Sequence, residues 1–291
     1  MVKFISSLHI KYDLRKSQSM KPLILITNDD GVNSPGLYAA AEAVSTLGEI
    51  LVVAPHIQQT GMGRSFPKTK DVGVIDELQI NLKGGIHPFY AVHGSPAQTV
   101  AHAVLEIAPK LPDLCISGIN YGENVGGTVF ISGTIGAALE ASCYGIPAIA
   151  ISIGTNSPQL YSKPHCRENW DVVINLVHKF ALFVLHHGLS PNVALLNINI
   201  PSEVTQETEV RTTHQSRQNY HICAKPEKRD FSTKLQLPIK IDIDNDILEP
   251  NSDVYAFTVD GVISVTPIGT DLTARDSSGM PVLITSTIDN V

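Results

Sequence analysis

The sequence predicts an α/β fold: a Rossmann-like three-layer sandwich with a mostly parallel sheet and a β-rich C-terminal extension. Three observations carry this. Short, nearly continuous apolar runs recur up to about residue 200, as strands buried on both faces require. Helix-start signals alternate with them, which is the rhythm of a parallel sheet covered by helices. That rhythm stops after Pro201, where charged loops and short strand candidates take over. A composition that is 43% hydrophobic and 17% charged supplies ample core for a chain of 291 residues.

Leu23-Ile24-Leu25-Ile26 reads as the first strand and ends at Asn28-Asp29-Asp30-Gly31. Ser34-Pro35 opens a helix, with Ser at the N-cap and Pro at the first helical position, and Gly48 closes it. Ile50 to Ala54 is the second strand, stopped by Pro55. A hairpin is expected around Lys83-Gly84-Gly85. Ser95-Pro96 starts a helix reaching about Ala108, and Leu114 to Ser117 is the third strand. A Gly-rich passage, Gly118 to Gly127, leads to a helix opening near Ser132-Gly133-Thr134 and stopping at Gly145. Ile149 to Ser152 is the fourth strand. Apolar residues from Val172 to Val184 recur at helical spacing, and Val193 to Ile200 is the fifth strand. In the tail, Val262 to Val265 is a strand candidate and no helix stands out.

The chain divides into an N-terminal extension (1–21), a catalytic α/β core (22–200) and a C-terminal extension (201–291) that completes the core or engages a second subunit. Residues 1–22 carry five basic residues and one acid but no apolar secretory region. Met20 directly precedes the first strand, so translation is expected to start there. No apolar run approaches the ~18 residues of a membrane span. Lys plus Arg number 21 against 28 Asp plus Glu, a formal charge of −7 that argues against a general nucleic-acid binder. The four cysteines are far apart and form no Cys-x-x-Cys pair, which fits a reduced, cytoplasmic setting.

Ligands of open α/β sheets bind at the carboxyl ends of the strands. Four polar or Gly-rich loops converge there: Asp29-Asp30, Gln59 to Gly63, Asn120 to Asn124, and Ser152-Ile153-Gly154. Adjacent carboxylates at the end of a buried strand repel each other and lose hydration, so they call for a cation or a shared proton. Oxygen ligands favour Mg²⁺, Mn²⁺ or Ca²⁺ over zinc. The plainer alternative is one Asp capping a helix and the other solvated. Ser132-Gly133-Thr134, at a helix start, suits a phosphate by its free N–H groups and dipole, or is an ordinary cap. The Gly spacing matches neither a dinucleotide fingerprint nor a P-loop. Asp242, Asp244 and Asp246 lack the Gly and the terminal Glu of a calcium loop and read as an alternating strand with a solvated acidic face. The eleven histidines form no metalloprotease motif, and His93 is loop or site rim.

Six ordered motifs resemble the SurE (survival protein E) family of nucleoside monophosphate phosphatases. They are Ile26 to Gly31, Val53-Ala54-Pro55, Gly94 to Ala97, Pro112 to Asn120, Ser132-Gly133-Thr134 and Gly145-Ile146-Pro147. Val265 to Ile268 with Asp271-Leu272-Thr273 resembles the family's C-terminal signature. The resemblance implies one divalent cation, Mg²⁺ or Mn²⁺ with Ca²⁺ as an alternative, held by Asp29, Asp30, Thr60 and Asn120. Thr60 stands in place of the usual Ser, and Ile131 where Tyr is common. Asn28, Gly61, Asn124, Ser132, Gly133 and Thr134 fall to the phosphate, and Asp29 or Asp30 orients the attacking water. The implied reaction is hydrolysis of nucleoside 5′-monophosphates, with 3′-monophosphates and short polyphosphate as further substrates. A homodimer or homotetramer that exchanges its C-terminal segment is implied as well. Two other classes remain at this stage: a Mg²⁺-dependent nucleotide-sugar transferase and a non-catalytic nucleotide-binding module.

Overall fold

The computed structural model describes residues 21–155, 170–274 and 279–280. The expectations for residues 1–20 and for Cys166 lie outside them.

A nine-stranded sheet forms the middle layer. Its strands are β1 (Leu23–Thr27), β2 (Glu49–Pro55), β3 (Ile75–Leu82), β4 (Gly85–Val92), β5 (Leu114–Tyr121), β6 (Ala148–Ile153), β7 (Leu195–Ile200), β8 (Val210–Thr212) and, after a separate ribbon of β9 (Tyr220–Cys223) and β10 (Ile239–Asp242), β11 (Ile263–Ile268). The spatial order is β3-β4-β2-β1-β5-β6-β7-β11-β8. From β4 to β7 every neighbouring pair is parallel, and the expected hairpin pairs β3 antiparallel to β4. On the other side β11 runs antiparallel to β7, with β8 parallel to β11.

Each face of the sheet carries its own helices. On one, α1 (Pro35–Val44) and α4 (Asp171–His187) cover Ile24, Ile26, Val52 and Ile116. On the other, α2 (Pro96–His102) and α3 (Gly133–Cys143) cover Leu25, Val53, Cys115 and Ala148. β1, β5 and β6 are buried at every position, which is why they read as unbroken apolar runs.

The helix starts follow from sequence. Ser95 accepts from the Gln98 N–H while the Gln98 side chain accepts from the Ser95 N–H, a complete capping box ahead of α2. Ser34 occupies the N-cap of α1 without a side-chain cap bond. Gly48 is not the stop of α1, which ends at Val44. A Cβ there would sit 2.2 Å from the Pro22 carbonyl oxygen, so the glycine permits chain contact at the start of β2. Two tail expectations change. A short helix, α5 (Asp253–Thr258), begins where Ser252 accepts from the Tyr255 N–H. The acidic stretch leaves strand form after Asp242, because Asp244 accepts from the Asp246 N–H and closes a turn. Among the described residues, no helix is long and apolar enough to cross a membrane.

Candidate active site

The central carboxylates stand where the topology places ligands. Asp29 and Asp30 follow β1, flanked by the ends of β2 and β5. Asn28 shapes the turn: its side-chain amide donates to the Gly31 carbonyl (3.0 Å) and its Oδ1 accepts the Gly31 N–H (3.2 Å). Gly31 adopts φ 96°, which favours glycine. The amide of Asn28 thus works on the loop.

Asp29 is buried. Thr134 at the start of α3 donates its hydroxyl to Asp29 Oδ1 at 2.6 Å, and its backbone also bonds the carboxylate. Thr134 therefore holds the acid directly. Ser132 caps the same helix by accepting the Ile135 N–H at 3.2 Å. Gly133 lies between them, and a Cβ there would be 2.7 Å from Asp29 Cβ. Only glycine lets the helix start approach the carboxylate this closely.

Asp30 accepts from the Tyr121 N–H (3.2 Å) and the Gln58 side-chain amide (3.2 Å). Burial is the first cause raising the pKa of both acids, and the neighbouring Asp29 charge raises Asp30 further. Hydrogen bonds from Thr134, Tyr121 and Gln58 pull the other way without cancelling it. Among the described residues no cationic side chain pairs with either carboxylate.

Three further loops close the site. The Gln59 N–H donates to the Asp29 carbonyl at 2.7 Å, bringing Thr60 and Gly61 to this edge. That loop is fastened to α3: Gly63 donates to the Ile131 carbonyl (2.9 Å), and Arg64 pairs with buried Glu140 at 2.7 Å. Asn120 is the penultimate residue of β5, opposite Ser152 of β6. Its Nδ2 donates to the Gly122 carbonyl at 2.7 Å, which fixes the orientation of the amide. Asn124 is wired to β6 and β7: its amide donates to Ser152 Oγ (2.8 Å), its N–H to Asn199 Oδ1 (2.7 Å), and its carbonyl accepts from Asn197 (2.8 Å).

A family profile described as survival protein SurE matches residues 24–222. The chain belongs to the SurE family. It is 42% identical over 262 residues to a protein of Methanosarcina acetivorans named 5′-nucleotidase SurE, covering 88% of this chain and 95% of that one. A protein of the same name from Thermococcus kodakarensis is 34% identical over 252 residues, covering 87% and 94%. The crystal structure of SurE protein from Aquifex aeolicus superimposes with a TM-score of 0.65 at 31% identity, covering 87% of this chain and 95% of that one.

Within this SurE chain, sequence reasoning missed Gln58, the Arg64–Glu140 pair and the Asn197–Asn199 brace. Asn197 and Asn199 alternate inside an otherwise apolar strand, and polar residues at buried strand positions are the signal that could have found them. It also missed how the tail reaches the site. Asp253, buried at the start of α5, accepts from the Gly126 N–H (3.0 Å), and the Tyr220 hydroxyl donates to Glu123 (2.7 Å).

Proposed function

We propose that this SurE chain is a divalent-metal-dependent phosphatase hydrolysing nucleoside 5′-monophosphates to nucleoside and phosphate. The relatives named 5′-nucleotidase SurE support the reaction. The observation that carries it is the crowded Asp29–Asp30 pair at the end of β1, with the start of α3 pressed against it.

The residues fit a hard cation. Two carboxylates, the Asn120 carbonyl and the Thr60 hydroxyl make an all-oxygen set suited to Mg²⁺ or Mn²⁺, with Ca²⁺ as an alternative occupant. A cation also offsets the burial that raises both acids and the Asp29 charge that raises Asp30 further. When bound, it supplies Lewis-acid polarisation of the phosphoryl group and lowers the pKa of a water. The chain's own part is positioning. Thr134 fixes Asp29, while Gln58 and the Tyr121 N–H fix Asp30. One of these acids orients the attacking water and accepts its proton. N–H groups at Gly61 and Gly133, with Ser132 and Asn124, bind the phosphoryl oxygens. Nucleoside 3′-monophosphates and short polyphosphate are further proposed substrates.

A homodimer or homotetramer accompanies this reading. The β9–β10 ribbon and its connection expose Phe231, Leu235, Leu237, Ile239 and Ile241, apolar surface suited to a second copy of the chain. A cytoplasmic setting is proposed from free Cys115, Cys143 and Cys223.

A phosphate-release panel across nucleotides and metals tests the reaction. Release from 5′-monophosphates that needs a divalent ion and stops with chelator is the expected result. Transfer of a sugar without free phosphate, or binding without turnover under every ion, overturns it.

A further inference from the structure

We propose that His56, Asp76 and His93 form a second divalent-metal site, one built for a borderline transition ion such as Zn²⁺ or Co²⁺. The sheet register brings them together. β2 and β4 pair in parallel with Pro55 opposite Val92, so the next residues, His56 and His93, are lateral neighbours. β3 and β4 pair antiparallel with Ile75 opposite Val92 and Asp76 opposite Ala91, which puts Asp76 diagonally beside His93. Side chains two apart on a strand share a face, so all three project from one side at the same sheet edge. Backbone bonds fix this corner: His56 donates to the Val92 carbonyl and His93 to the Val74 carbonyl, both at 2.8 Å.

The side chains converge on one point. His93 Nε2 lies 3.0 Å and His56 Nδ1 3.5 Å from the same oxygen, Asp76 Oδ2, and the three ligand atoms lie within 4.8 Å of one another. Ligand atoms around a tetrahedral or octahedral zinc-type ion stand about 3.0–3.4 Å apart, as bond lengths of ~2.0–2.1 Å require. The imidazoles stack with ring centroids 4.1 Å apart, so they are close enough to share an ion once one ring turns to aim its in-plane lone pair. Two imidazoles and one carboxylate leave open positions for water, and this donor set prefers zinc, cobalt or nickel over magnesium. All three side chains are partly open to solvent, so an ion has a path in.

The site shares no side chain with the all-oxygen set, and two of its three ligands, Asp76 and His93, lie on the β3–β4 side of β2. It is also close by, because His56 stands two residues before Gln58, which holds Asp30. Occupancy would cross-link the end of β2 to the β3–β4 hairpin at the rim of the candidate active site.

The test titrates Co²⁺ and Zn²⁺ into the full chain in excess Mg²⁺, reading visible absorption and calorimetric stoichiometry. The comparison proteins are His56→Gln/His93→Gln, Asp76→Asn and Asp30→Asn. The expected result is one equivalent bound to wild type and to Asp30→Asn, with nitrogen-ligand absorption bands. That equivalent is lost, or weakened at least tenfold, in the histidine and Asp76 variants. Mg²⁺-supported phosphate release and the melting curve of the histidine variant stay at wild-type values, which shows that it folds. Equal stoichiometry and spectra in wild type and the histidine variant overturn the proposal. So does loss of the equivalent in Asp30→Asn alone, which would place the ion at the central acids.

Discussion

A pair of carboxylates and a single one sit at the same sheet edge under opposite conditions. Asp29 and Asp30 are crowded together beneath α3, where desolvation raises both. Asp76, on the outer hairpin, keeps much of its hydration and faces two imidazoles. The difference teaches that a carboxylate's surroundings, more than its count, set what it binds. The inner pair resists carrying two charges, a cost that a hard cation would offset, whereas the outer acid already has partners with nitrogen donors.

The largest effect that can break this contrast comes from removing half of the inner pair. Asp30→Asn is expected to lower metal-dependent phosphate release by about 10³-fold or more, since it removes a proposed cation ligand and one of the two candidate proton acceptors. The metal-free protein should nonetheless be more stable than wild type, because the repulsion with Asp29 is gone. Steady-state kinetics with a thermal melt in chelator checks both. A variant that loses stability as well as turnover would show that the acid serves the fold.

Gly133→Ala comes next. The added methyl would meet Asp29 Cβ at 2.7 Å, so either α3 or the acid must shift. A displacement near 1 Å at a reacting centre costs on the order of 10² in rate. Overpacking destabilises by about 1–3 kcal/mol. Kinetics and denaturant unfolding separate the two.

Much of this inner site was legible in the sequence because its determinants are local. A buried strand, two acids, and a Ser-Gly-Thr helix start each declare themselves within a few residues, and burial on both faces makes β1, β5 and β6 unmistakable. What could not be read depends on register between distant segments. β3 is nowhere fully buried, mixing half-buried and exposed positions on an edge, and its pairing with β4 beside β2 puts Asp76 near His56 and His93 only in three dimensions. β11 likewise enters the sheet antiparallel to β7, a placement that its six residues with an internal proline do not announce. Helix α5 was missed because its six residues are too short for periodicity, though Ser252 was a readable cap.

The dependence of stability on pH sharpens the comparison. Each inner acid is raised in the folded state, so between the ordinary carboxylate pKa and the raised one the folded chain holds more protons than the unfolded chain. Unfolding free energy therefore falls as pH rises through that window, from near 4 towards about 6 for Asp29 and about 8 for Asp30. Metal-free protein should lose at least about 1 kcal/mol between pH 5 and 8 through this linkage. Saturating Mg²⁺ and Asp30→Asn should each flatten the slope. Melting curves across pH, with and without chelator, provide the check, and a slope equally steep in all three samples would assign it to other groups.

The smallest expected effect concerns acids that are neither crowded nor paired with imidazoles. Asp244 and Asp246 lie exposed in the turn after β10, where Asp244 accepts the Asp246 N–H at 3.0 Å. An exposed side chain on one local bond contributes little, so Asp246→Asn is expected to change stability by no more than about 0.5 kcal/mol. Turnover should be unchanged. Ca²⁺ should bind the variant and the wild type identically, because the stretch lacks the glycine and the bidentate Glu of a calcium loop. A calorimetric Ca²⁺ signal that disappears in Asp246→Asn would show that solvated acids close in sequence can select an ion without burial or nitrogen donors. The contrast between inner and outer carboxylates would then lose its physical basis.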